Sequence, residues 1–402
     1  MVQINSLLRQ NLAGKLFNHG IVFLMNVLIV RILGASESGY YFNELYLFNF
    51  IVFIFSFGLD YSAISWINRE PDLLGLIHRK LFRLVLFFIS VIGFFALIVL
   101  PVLDIPFKQS GWAIILFSTG NLLLIFFQGI LSARRKFNLQ NKLLISTNLL
   151  FLGFLFFIYK NNSLNQQKFI TLGYGAILFI QGILMMAMSY TKHKEKEISI
   201  NWNPFYRYGI FIMLSSLAYF TFLRVDNFFV EKYTNAVTLS NYIQCGKIGQ
   251  YFLYFSTIIS STILPFVISK NLGNSFIEWK KMMKPYIFLI CFCAVLIALF
   301  GRWIFPLIFG PAFNEMIVYM LILLPGYVCL GLLTLVNAIY LGKGNIKKIF
   351  KGDVMGMLIV LILDSILVPK YGVIAAAIIS SVTYVWVFIY LWVDLKHQFK
   401  ID

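Results

Sequence analysis

Arg31, Arg224 and Lys247 are cations set in apolar sequence, apart from the runs of Lys and Arg found elsewhere in the chain. Taking an unpaired charge out of water costs several kcal/mol or more. Ionisable groups at membrane depth therefore face a cavity or the interior of a helix bundle. These three residues are candidates to line a cavity and neutralise a phosphate-bearing cargo, with interfacial anchoring or pairing between lobes as the alternative. Glu44 and Asp226 are carboxylates in similar settings and are candidates for a coupling proton or sodium ion. Gln244, Lys247 and Gln250 recur every third residue, drawing a polar stripe along one predicted helix. Asn26, Gln128 and Asn337 add amides that suit cavity lining or hydrogen bonding between helices. Amides with a few cations fit a ligand carrying hydroxyls and phosphates. Arg302 and Asp364, near predicted helix ends, are expected to snorkel to the headgroups, and Asp60 to anchor a helix end. Arg224 and Asp226 are two residues apart and do not share a helix face.

The elements that carry these groups follow from composition. Of 402 residues, 60% are hydrophobic and 12% are charged, with a mean hydropathy of +0.84. Soluble domains are about 25% charged, and a membrane span needs about 20 largely apolar residues. Twelve such spans are read near 16–34, 43–65, 83–104, 112–132, 142–159, 168–190, 208–230, 246–268, 286–309, 315–341, 353–368 and 372–394, the eleventh being short. The blocks are continuously apolar, as at Leu81–Leu100. A membrane barrel would instead alternate over about 10 residues. The expected fold is all-α and polytopic.

The net charge of +17 has a topological explanation, because Lys and Arg collect on every second connection. Arg134, Arg135 and Lys136, then Lys192, Lys194 and Lys196, then Lys343, Lys347, Lys348 and Lys351 fall on one side. By the positive-inside rule that side is cytoplasmic and holds both termini, and no nucleic-acid partner is expected. The polar start leads into a long span without a small-residue cleavage site, which reads as an uncleaved first helix. Cys245, Cys291, Cys293 and Cys329 have neither CxxC nor Cys/His spacing and are read as buried small hydrophobes. No metal or cofactor is expected.

A polar interruption over 191–206 divides the chain into an N-terminal lobe (1–190, helices one to six), a cytoplasmic linker (191–206) and a C-terminal lobe (207–402, helices seven to twelve). The halves are weakly alike. Arg31 and Arg224 stand 193 residues apart, each near the end of the first span of its half. Gln128 and Asn337 stand 209 apart, each closing the fourth span of its half. Six is even, so a duplicated six-helix unit gives parallel repeats about an axis along the membrane normal. Pro265, Pro285, Pro306 and Pro325 remove backbone bonds from helices eight to ten, leaving static or mobile kinks. No GxxxxGK[ST] loop is present, which excludes ATP hydrolysis by that route. HExxH is also absent, and no outer loop is large enough for a carboxylate-bearing acceptor site, which disfavours an enzyme.

Several patches resemble a known family. They include Val30-Arg31-Ile32-Leu33-Gly34 through Gly39-Tyr40-Tyr41, then Phe57-Gly58-Leu59-Asp60-Tyr61 ending helix two, and Arg224-Val225-Asp226-Asn227. Ile308-Phe309-Gly310-Pro311, Leu324-Pro325-Gly326 and Leu367-Val368-Pro369-Lys370-Tyr371-Gly372 follow in order. Together they resemble the polysaccharide-flippase (Wzx-like) branch of the multidrug/oligosaccharidyl-lipid/polysaccharide exporter superfamily. That resemblance implies a two-lobed bundle of twelve helices in the bacterial inner membrane, moving oligosaccharide repeat units on undecaprenyl diphosphate for O-antigen, capsule or exopolysaccharide assembly. Its partners would be the lipid-linked substrate, membrane lipids and other glycan-assembly proteins. Drug exporters share the fold, so a cation-coupled multidrug exporter is the first alternative, and a membrane glycan polymerase or ligase the second. The cationic balance of Arg31, Arg224 and Lys247 favours an anionic cargo.

Overall fold

In hydrocarbon a helix satisfies its own backbone hydrogen bonds, so long apolar runs become helices. The computed structural model describes residues 2–99, 111–161, 166–190, 201–269, 272–342 and 345–399. Among them no strand occurs. Eleven α-helices follow in order: α1 (Val2–Ser56), α2 (Leu59–Arg69), α3 (Leu74–Phe94), α4 (Gly111–Ala133), α5 (Phe137–Asn161), α6 (Gln166–Ser189), α7 (Asn203–Tyr233), α8 (Ala236–Ser269), α9 (Leu272–Phe309), α10 (Met316–Gly342) and α11 (Ile346–Phe399). Lys192, Lys194, Lys196 and Lys343, and residues 191–200 of the expected linker, lie outside the described residues.

Nine described helical stretches are long and apolar enough to cross a membrane. Two of them, Ala13–Ser56 and Ile346–Gln398, have 44 and 53 residues, about twice what a bilayer needs. Each breaks at a glycine in the left-handed region, Gly34 at φ 74° and Gly372 at φ 63°, where a Cβ would be strained. Each therefore holds two crossings. With α8, counted by its 34-residue length, the described residues supply the twelve expected crossings of a multi-pass membrane protein.

Two expectations change here. Phe57-Gly58 does not end helix two. Both residues take positive φ (46° and 60°), the helix breaks, and α2 resumes as far as Arg69. The eleventh crossing is not short, because α11 starts at Ile346 and runs helically to its break at Gly372.

The chain forms two compact units, one of Met1–Leu33 and Glu44–Leu217, the other of Gly34–Asn43 and Ala218–Asp402. In the first unit α4 is central and packs on α6, α2, α3 and α5. Leu122, Phe126, Phe127 and Ile130 of α4 are buried with Ile77, Leu81 and Val85 of α3 and Phe205 of α7. The start of α7 is held in this unit by Ser62, whose hydroxyl donates to the Phe205 carbonyl at 3.0 Å. Amides bind α1, α5 and α6 together: Asn148 donates to Asn18 at 2.9 Å, and Gln181 donates to Thr147 and Asn148 at 2.7 and 2.9 Å.

In the second unit α10 is the central helix and packs on α8, α11 and α9. Its Gly326 lies against Ser381, whose hydroxyl accepts the Gly326 N–H at 3.1 Å. Residues 34–43 belong here because Ser38 and Ser240 hydroxyls bond at 2.8 Å and the Asn43 amide donates to Glu231. Phe288, Trp303 and Leu307 of α9 are strongly exposed. In water they would form a large apolar patch; in a bilayer they face lipid. The same logic corrects the cysteines. Only Cys245 is fully buried, Cys291 is exposed, and Cys293 and Cys329 are half-buried. Lipid is as apolar as a protein core, so it does not drive a thiol inward.

Candidate functional site

The second unit contains a buried cluster of charge and hydroxyl groups. Asp226 on α7 is 4% exposed. Its Oδ2 accepts from the Tyr242 hydroxyl of α8 at 2.5 Å and from the Ser380 hydroxyl of α11 at 2.8 Å. Its Oδ1 accepts the Asn227 backbone N–H at 2.9 Å. Three helices thus converge on one carboxylate. Arg224 is 5% exposed and acts electrostatically on Asp226. Its guanidinium lies so close to α8 that a Cβ at Gly246 would meet Nη1 at 2.7 Å.

Asp364, on the part of α11 before the Gly372 break, is 0% exposed and acts on Asp226. Neither of its carboxylate oxygens has a hydrogen-bond partner among the described residues. The expectation that it snorkels is therefore corrected. Because α11 starts earlier and ends later than the short predicted span, Asp364 sits well inside the helix rather than near its end. Asp353 is also buried and, with Arg224, acts on Tyr219. Lys247 of α8 is half-buried, couples to Arg224, and has its ammonium over the face of the Phe42 ring. Arg224, Asp226, Asp353 and Asp364 are thus buried in the same unit, with Lys247 half-buried. No group of three His, Cys, Asp or Glu side chains that could hold a metal occurs among the described residues.

The remaining candidates are placed as follows. Gln244 is buried beside this cluster's residues on α8, and Gln250, further along the same stripe, is half-buried. Asn337 of α10 is half-buried and its amide oxygen has no donor among the described residues. Arg31, Asn26, Glu44 and Gln128 belong to the first unit. Arg31 is exposed, Glu44 is buried, and Asn26 and Gln128 are half-buried. Asp60 opens α2 at the internal break, with the backbone of Gly129 close against it. Arg302 is exposed. Sequence reasoning missed Tyr242, Ser380 and Asp364 as members of the cluster. The available signal was an aspartate and a serine pair inside otherwise apolar runs.

No family model matches the chain. Over 138 residues, 32% of this chain, it is 27% identical to the capsular polysaccharide biosynthesis protein CapF of Staphylococcus aureus. The match spans about a third of that relative (34%). Among solved structures, the lipid II flippase MurJ in an inward closed conformation aligns over 95% of this chain and 87% of its own, with a TM-score of 0.71 and 18% identity. The Vibrio cholerae MATE transporter VcmN aligns over 100% and 98%, with a TM-score of 0.67 and 13% identity. A transporter of the MOP superfamily from Pyrococcus furiosus aligns over 97% and 95%, with a TM-score of 0.67 and 12% identity. The chain therefore has the fold of these flippase and transporter structures along nearly its whole length.

Proposed function

We propose that this chain is a flippase carrying undecaprenyl-diphosphate-linked oligosaccharide repeat units across the bacterial inner membrane, with both termini in the cytoplasm and alternating access of its two halves. The observation that carries the reading is the shared fold with a lipid II flippase over 95% of the chain. The local likeness to a capsule-biosynthesis protein points the same way. The charged cluster refines the roles. Arg224 and Lys247 are the cations proposed for the diphosphate in this unit, Arg224 buried and Lys247 half-buried. Arg31 is a candidate cation of the first unit, exposed there. The Asp226–Asp364 site takes the coupling proton or sodium ion.

A cation-coupled drug exporter has the same fold support, but it would gain nothing from Lys247. The Lys247→Gln variant, expressed in a strain lacking the native gene, is expected to reduce surface glycan at least tenfold while reaching the membrane normally. Lys247→Arg should restore most of it. Full export by Lys247→Gln would remove the cation from the cargo site. Protection against cationic dyes with surface glycan unaffected would favour the exporter.

A further inference from the structure

The first unit holds a second charged site, a positive one, far along the sequence from the cluster above. Lys80 of α3 is half-buried, and its ammonium lies 5.5 Å from the Trp202 ring centroid and 5.8 Å from that of Tyr206. Those rings are not loose. Trp202 stacks on Trp66 at 6.2 Å with an interplanar angle of 6°, and Phe205 packs edge-on against both at 5.5 and 5.4 Å. The Trp202 ring that faces Lys80 is thus packed between two aromatic neighbours. Ring faces attract an ammonium but accept none of its three N–H bonds in full. Among the described residues no carboxylate pairs with Lys80.

Two further positive features converge there. Arg83, exposed, stands one turn along the same face of α3. The helix α7 starts at Asn203, between the two rings, and a helix N-terminus carries about half a positive charge. A lysine beside a helix start is mildly disfavoured, and an anion between them relieves this. Trp and Tyr with basic residues are also the residues of the headgroup level of a bilayer, and this is the side expected to face the cytoplasm.

We propose that Lys80 and Arg83, with the Trp202 and Tyr206 rings, form a site for the headgroup phosphate of an anionic phospholipid in the adjoining leaflet. The phosphate receives hydrogen bonds from Lys80 and Arg83, and the rings pack on the glycerol and upper acyl chain. The lipid bridges α3 and the first turn of α7. This site does not depend on what the protein transports.

The test uses the full chain purified in a neutral detergent, with thermal unfolding followed during titration with phosphatidylglycerol, phosphatidylcholine or inorganic phosphate. Phosphatidylglycerol is expected to raise Tm more than phosphatidylcholine, and phosphate alone to do nothing. In Lys80→Gln/Arg83→Gln the apparent affinity for phosphatidylglycerol should fall by about tenfold or more, given the attraction each basic residue exerts on an anionic headgroup. Lys136→Gln/Lys142→Gln removes two exposed charges elsewhere on the same side and should keep the wild-type response. If the first pair fails to fold, Arg83→Gln alone carries the test. Equal losses in both pairs, an unchanged response at Lys80 and Arg83, no preference over phosphatidylcholine, or a full response to phosphate alone would each overturn the proposal.

Discussion

Replacing Arg224 with Leu is expected to destabilise the protein by about 3–5 kcal/mol, the loss that follows when one partner of a buried charge pair is removed. Asp226 keeps its bonds from Tyr242, Ser380 and the Asn227 N–H, but the guanidinium that acts on it is gone. The void left against Gly246 adds lost packing. Thermal unfolding of the purified protein, together with the yield of folded material, measures the effect. The double variant Arg224→Leu/Asp226→Asn should recover more than half of the lost stability, since a neutral amide still accepts and donates hydrogen bonds without needing a counter-charge. Strictly additive losses in that cycle would mean that the two side chains do not act on one another.

The second large effect lies in the first unit. Gly120→Leu is expected to cost about 3 kcal/mol or more and to leave little folded protein. A Cβ at Gly120 would stand 2.5 Å from the Phe179 nitrogen and 2.6 Å from the Leu178 carbonyl carbon. Both are backbone atoms of α6 and have no rotamer to give way. Gly182 faces the same crossing from the other side, with Leu123 Cβ at 2.5 Å and the Gly120 carbonyl at 2.9 Å. Small residues let membrane helices approach this closely because packing, not water, drives them together. Gly153→Ala on α5 is the control: nothing lies within 4 Å of the place its methyl would take. It should be neutral, or gain a few tenths of a kcal/mol from better helix propensity. Similar yields from the two variants would contradict the close crossing.

Collective signals were legible in the sequence. Apolar runs of span length predict twelve crossings, and the structure has them, because lipid imposes one requirement on every helix. Outcomes that depend on one residue's neighbours were not legible. Asp364 reads as a helix-end residue only if the eleventh span is short, and its burial follows from where α11 starts and breaks. Gly58 reads as a helix end, whereas the chain restarts a helix immediately after it. Tyr242 approaches Asp226 from the next helix and Ser380 from a helix 154 residues further on, a pairing that no spacing rule reveals. Arg224 and Lys247, marked as exceptions to the charge pattern, do fall in one unit, but their burial differs.

The central claim is transport of an isoprenoid-diphosphate oligosaccharide, and one measurement meets it directly. Purified protein is reconstituted into liposomes containing such a lipid-linked oligosaccharide, and the fraction open to a membrane-impermeant glycan-cleaving enzyme is followed over time. Wild-type protein is expected to expose the inner-leaflet pool well above protein-free liposomes, and Lys247→Gln to fall close to that background. An inner pool that stays protected in wild-type proteoliposomes, while the same vesicles exchange a cationic dye for protons or sodium, would contradict the flippase reading and support an exporter.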